Sequence, residues 1–136
     1  MRNLVLLTLL LASIATTAQF KSAPISTWDG EKGEQVILVD VRTQEEYELG
    51  HLCDALNIDY KAEDFAAHIQ ELDKTTPVYL YCRTGKRSEG AATLLEELGF
   101  ENITNLEGGY VAYTEAGGEP CPKDGESPTK ATDTKL

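Results

Sequence analysis

An unbroken apolar run, Val78 to Tyr81, leads directly into Cys82 and the loop Arg83, Thr84, Gly85, Lys86, Arg87, Ser88, after which Ala91, Ala92, Leu94, Leu95 and Leu98 recur at helical spacing. Continuous hydrophobicity marks a strand covered on both faces, and a helix that follows at once is the pattern of a parallel sheet whose crossovers are helical. The pattern repeats along the chain. Val36 to Val39 is a second such run, ending at Asp40, Val41 and Arg42, and Thr43 with Glu46 forms a capping box for a short helix that stops at Gly50. Ala55 to Ile58 reads as a short strand, and Ala62 to Leu72 as a helix with Phe65, Ile69 and Leu72 on one face. Ile103 to Leu106 reads as a further strand and Tyr110 to Ala116 as a last helical piece, while Ile25 is expected to open a small first strand. This alternation predicts an α/β fold with a mainly parallel sheet flanked by helices. In such sheets ligands gather at the carboxyl ends of strands, which is where Asp40, Arg42 and Cys82 fall.

The ends of the chain read differently from its middle. Arg2, an apolar stretch from Leu4 to Ala15 and the small residues Thr16, Thr17 and Ala18 have the make-up of an export signal over residues 1–18. The stretch is shorter than the roughly 20 residues a membrane-spanning helix needs, so cleavage after Ala18 is expected rather than a stable membrane anchor. Such cleavage would leave 118 of the 136 residues, the size of one domain. Residues 19–24 read as a polar lead-in and 25–120 as the domain. Residues 121–136, rich in Pro, Lys, Asp, Ser and Thr, read as a disordered polar tail. An exported chain of this kind is expected in a periplasm or outside the cell.

The formal net charge is −11 and becomes −12 once Arg2 is removed, which argues against nucleic acid or an anionic membrane as a partner. Against that background Arg83, Lys86 and Arg87 beside one cysteine stand out as an anion-binding cluster. Cys82 sits where a strand meets a helix start. Free N–H groups there stabilise a thiolate and lower its pKa, so Cys82 is the candidate nucleophile. Of the three cysteines at least one is unpaired within the chain, and Cys53 and Cys121 are the natural candidates for a disulfide. His51 reads as structural and His68 as a surface residue. Close Cys/His spacing of the kind zinc requires is absent from the sequence, so no metal site is expected.

The order of four segments resembles the single-domain rhodanese-like sulfurtransferases. They are Val39 to Arg42; Gly50, His51, Leu52 with Ala55 to Ile58; the loop Cys82 to Ser88; and Leu106 to Tyr110 with Ala112 and Tyr113. The resemblance implies a cradle of loop N–H groups around the Cys82 sulfur, in which Gly85 permits the required backbone. It implies that Cys82 takes sulfur from a small anionic donor such as thiosulfate, becomes a persulfide, and passes the sulfur to cyanide or a thiol, a protein acceptor included. Arg83, Lys86 and Arg87 would attract the donor and stabilise the departing sulfite, with Thr84 and Ser88 adding hydrogen bonds. The resemblance further suggests that Asp40 pairs with a loop arginine and that Arg42 fixes the site. No cofactor is implied.

Two departures stand out. Cys53 and Asp54 occupy the place where the family commonly has Pro-Gly, and a further cysteine lies beyond Pro120. Cys53 is therefore open to two readings, a disulfide or a sulfur relay from Cys82. Competing functions are a non-catalytic binding module, a thiol–disulfide redox protein and a cysteine phosphatase. The last is disfavoured because Ser88 stands where that class needs an arginine, with Arg87 one residue early.

Overall fold

The computed structural model describes residues 19–30 and 34–123. The expected export signal, and all but the first three residues of the expected tail, lie outside the described residues. In chain order the elements are β1 (Lys21–Pro24), a 3-10 turn (Ile25–Thr27), β2 (Ile37–Asp40), α1 (Gln44–Leu49), β3 (Leu56–Asn57), α2 (Phe65–Ile69), β4 (Val78–Tyr81), α3 (Lys86–Glu97), β5 (Ile103–Glu107) and α4 (Gly109–Glu115). The strands form one parallel sheet in the order β1-β5-β4-β2-β3. The fold is the α/β architecture that the alternating runs predict. None of the described helices is long and apolar enough to cross a membrane.

Strand periodicity divides the core between the two faces of the sheet. On one face Val39, Val78, Leu80 and Ile103 meet Phe65 and Ile69 of α2 and Ala91, Ala92 and Leu95 of α3. On the other, Leu38, Tyr81 and Leu106 meet Ile25 and Leu52, with Tyr47 of α1 and Tyr110 and Tyr113 of α4 packed around them. The central strands β2 and β4 are covered on both sides, which is why they read as unbroken apolar runs.

Two sequence expectations are corrected. The lead-in over residues 19–24 contains β1, which pairs with β5 in the register Lys21↔Thr104 to Pro24↔Glu107, whereas Ile25 lies in the 3-10 turn and is buried. An edge strand with polar side chains has no hydrophobic pattern to reveal it, and Pro24 is tolerated at a strand that needs no second partner. The helix expected over 62–72 is α only at Phe65–Ile69. It is flanked by i→i+3 bonds, Phe65 N to Ala62 O before it and Leu72 N to Ile69 O after it. Cys121, the first residue beyond the expected domain end, is joined to Cys53 by a disulfide across 68 positions, with Cα atoms 4.7 Å apart, and its N donates to His51 O at 2.8 Å.

Candidate active site

β4 ends at Tyr81, and Cys82 follows it at the centre of the carboxyl edge, 1% exposed. The loop then curls back. Gly85 adopts φ +112°, a conformation that favours glycine, and from there α3 begins at Lys86. This bend brings Gly85 N within 3.0 Å of Cys82 Sγ and Ser88 Oγ within 3.5 Å. Burial alone would push the thiol up. The Ser88 hydroxyl and the amides of Ser88, Gly85 and Thr84 act against it and hold Cys82 below its ordinary value. The result is a nest of hydrogen-bond donors closed around one sulfur atom.

The nest is braced from behind by α4. Tyr110 N donates to Cys82 O at 2.8 Å and Val111 N to Arg83 O at 3.1 Å. Gly109, at φ +61°, makes this approach feasible, since a Cβ there would collide with the Cys82 carbonyl oxygen and the Arg83 carbonyl. Gly109 is thus the seat of the loop backbone.

The basic residues separate into two kinds. Arg83 and Lys86 are exposed at the rim and make no ion pair with the described residues. Arg87 instead donates Nη1 to Glu46 Oε1 at 2.8 Å and Nη2 to Glu46 Oε2 at 2.9 Å, a two-pronged bond from α3 to α1. The Arg87 hydrogen bond is the main cause that holds the Glu46 carboxyl down at about 2. Glu46 was legible only as half of a capping box with Thr43, whose Oγ1 accepts from Glu46 N at 3.3 Å. Its second role had no local signal, because its partner lies 41 positions away.

Asp40 does not pair with a loop arginine. Its partner is Arg42, which turns back at the end of β2 and grips the carboxylate, Nε to Oδ1 at 3.0 Å and Nη2 to Oδ2 at 2.7 Å. Arg42 Nη2 also donates to Gly50 O at 2.6 Å, and the guanidinium lies over the Tyr110 ring, 4.3 Å from its centroid. Two positions is a shorter reach than any loop arginine has, and the backbone Arg42 N donates to Asp40 Oδ1 as well, at 2.9 Å. Tyr81, buried beside this pair, accepts from Leu52 N at 3.1 Å. Burial, and then the Asp40 charge, push its hydroxyl far above the ordinary range. His51 stacks on Tyr47 at 3.7 Å between centroids, and its Nδ1 lies 2.9 Å from Tyr47 O. His68 is exposed beside Asp64. Cys53 and Cys121, left open between disulfide and relay, are joined to each other, and Cys82 is the free cysteine.

These features define a class: a parallel α/β domain that carries a buried free cysteine in a nest of loop amides at the carboxyl edge of its sheet. Residues 26–116 match the rhodanese-like domain family, and the chain belongs to it. It is similar to the thiosulfate sulfurtransferase GlpE of Coxiella burnetii, 32% identical over 90 residues that make up 65% of this chain and 81% of that protein. It is also similar to a tRNA uridine(34) hydroxylase of Chlamydia caviae, 34% identical over 109 residues, 75% of this chain but 33% of that protein. The chain therefore spans about a third of the length of that relative. Among solved structures, a rhodanese-like domain protein from Staphylococcus aureus superposes with a TM-score of 0.62 at 28% identity, over 69% of this chain and 91% of that one.

Proposed function

We propose that the protein is an exported sulfurtransferase that works through a persulfide on Cys82. The observation that carries this reading is the nest itself: a buried sulfur that receives Gly85 N–H and Ser88 O–H and is held below its ordinary pKa. The Cys82 thiolate attacks the outer sulfur of thiosulfate or a related donor. A new S–S bond forms, the donor's S–S bond breaks, and sulfite departs with the electron pair. Cyanide or a thiolate then attacks the outer sulfur of the persulfide, takes it as thiocyanate or a new persulfide, and returns the Cys82 thiolate.

Arg83 and Lys86 draw the anionic donor to the rim, while Arg87 is tied to Glu46 and its charge also interacts with the Cys82 sulfur. Because one sulfur and not a bulky ester fits a cradle with Ser88 at its far end, sulfur transfer is favoured over phosphate-ester hydrolysis. The Cys53–Cys121 disulfide supports export, since such bonds persist in oxidising compartments. It also leaves neither cysteine free as a relay, so the acceptor comes from outside the chain.

The test is thiocyanate formation from thiosulfate and cyanide by the wild type and by Cys82→Ser. Activity abolished by the substitution, with a mass gain of one sulfur on wild-type Cys82 after donor alone, is the expected result. Thiocyanate formation that survives the substitution would refute the persulfide route, as would a folded wild type that never acquires the extra sulfur.

A further inference from the structure

Arg87 stands where a helix least favours a positive charge. It lies in the first turn of α3, whose free N–H groups already present positive charge of their own. Its compensation comes from another helix: both arms of the guanidinium, Nη1 and Nη2, donate to the two carboxylate oxygens of Glu46 on α1, at 2.8 and 2.9 Å. The next residue is Ser88, whose hydroxyl lies 3.5 Å from Cys82 Sγ, so the cation and the nest share one turn of helix.

The Glu46 hydrogen bond is the chief cause that raises Arg87 above its ordinary value, and the charges of Glu46, Cys82 and Asp59 add to it. Attraction between a guanidinium and a thiolate is mutual, so Arg87 favours the ionised form of Cys82. Glu46, of opposite sign and bonded to the same guanidinium, offsets that pull. The other polar groups at this edge are differently engaged. Asp40 and Arg42 neutralise each other in the core, Arg83 and Lys86 are exposed at the rim, Glu89 and Glu107 lie beside Lys86, and Tyr81 and Tyr110 present phenols. Glu46 is the carboxylate bonded directly to a cation that acts on the sulfur. Held down at about 2, it remains a fixed charge throughout the range in which a thiol titrates.

We propose that Glu46 is a positioning residue for Cys82: its two-pronged hold on Arg87 fixes that cation beside the nest and sets how much of its positive charge the sulfur feels. The proposal rests on the persulfide reading only for its consequence in sulfur transfer. Its effect on the thiol itself is independent of that reading.

The test is alkylation by iodoacetamide across a series of pH values for the wild type, Glu46→Gln and Arg87→Met, with the Cys53–Cys121 bond intact so that Cys82 is the thiol that reacts. Glu46→Gln removes the offsetting charge and should move the midpoint of the rate profile down by about half a pH unit. Arg87→Met removes the cation and should move it up by about as much, the scale of a Coulomb interaction between partly solvated charges. A clasp that is merely structural predicts otherwise: a loosened nest costs the thiolate its hydrogen-bond donors, so both substitutions would move the midpoint upward. The opposite signs therefore separate the two roles. A midpoint in Glu46→Gln that rises or stays at the wild-type value overturns the proposal, as does an unchanged midpoint in Arg87→Met. At a pH below the midpoint, Glu46→Gln should take up sulfur from thiosulfate about threefold faster than the wild type, in line with its larger thiolate fraction. Failure of thiosulfate to load sulfur onto Cys82 in any of these proteins would refute the persulfide reading and leave the alkylation midpoints to decide the role of Glu46. Sulfur loading with midpoints that do not move would overturn the role of Glu46 alone.

Discussion

The site is flanked by two arginine–carboxylate pairs of nearly the same geometry and quite different character. Arg42–Asp40 is sealed in the core, with side chains 4% and 0% exposed, between neighbours in sequence. Arg87–Glu46 is a partly open clasp, with side chains 19% and 30% exposed, between helices far apart in sequence. A buried pair has surrendered its hydration and depends on its partners for compensation, so removal of one member strands the other. A partly solvated pair keeps water as a substitute partner and contributes little net stability. The comparison teaches that the same chemistry serves two ends here. Arg42 is part of how the fold closes, and Arg87 is part of how the nest is held in position.

The largest effect follows from that contrast. Arg42→Met should cost about 3–5 kcal/mol, because Asp40 is left charged and unpaired in the core, whereas Arg87→Met should cost about 1 kcal/mol or less. Urea unfolding of both variants measures the difference. Similar losses at the two positions would break the comparison.

Next comes the disulfide. Cys53 and Cys121 tie the C-terminal segment to the turn that carries Gly50, and the Gly50 carbonyl is itself held by Arg42. Closing a loop over 68 positions stabilises by about 4 kcal/mol on the chain-entropy account. Loss of the bond through Cys53→Ser with Cys121→Ser should therefore approach the Arg42→Met loss. Since both act on the same turn, the combined variant should lose less than the two losses added, which a double-mutant cycle reads. Full additivity would show that the disulfide and the buried pair are independent.

Sequence reading succeeded where the signal was local. The run at Val36 to Val39 falls on β2 (Ile37–Asp40) with a shift of one residue and Val78 to Tyr81 is β4, the Thr43 and Glu46 box starts α1, and the Cys82 loop lies between β4 and α3. It failed where the partner was distant or the pattern polar. β1 carries Lys21 and Ser22 on an edge and owes its existence to β5, 83 positions on from Lys21 in the register of Lys21 with Thr104. Asp40 was given a loop arginine because charge pairing is not encoded by spacing. The Arg87–Glu46 clasp depends on how α1 meets α3, which only the assembled sheet determines.

A smaller effect tests the nest that the second pair serves. Ser88→Ala removes the hydroxyl that heads the causes lowering the Cys82 pKa, so the thiol should titrate higher. Alkylation by iodoacetamide near neutral pH should slow by up to about tenfold, and its pH profile should move upward. An unchanged profile would assign the depression to the loop amides alone.

The smallest effect concerns Glu46 and acid. Its carboxyl is held at about 2 in the folded protein, chiefly by the Arg87 hydrogen bond, against an ordinary 4.5 in the unfolded chain. A depressed carboxyl stabilises the fold above its unfolded pKa, and the stabilisation fades as pH falls from about 4.5 through about 2. Glu46→Gln keeps the shape and removes the titration. The wild type should exceed this variant by no more than about 1 kcal/mol at neutral pH, and the difference should shrink steadily below pH 4.5. Urea unfolding at a series of pH values for the two proteins measures it. The buried Arg42–Asp40 pair offers the control, since Arg42→Met should remain far less stable than Glu46→Gln at neutral pH. A wild-type advantage that persists unchanged to pH 2 would mean that the Glu46 charge contributes nothing to the clasp, and that Arg87 is held by shape alone.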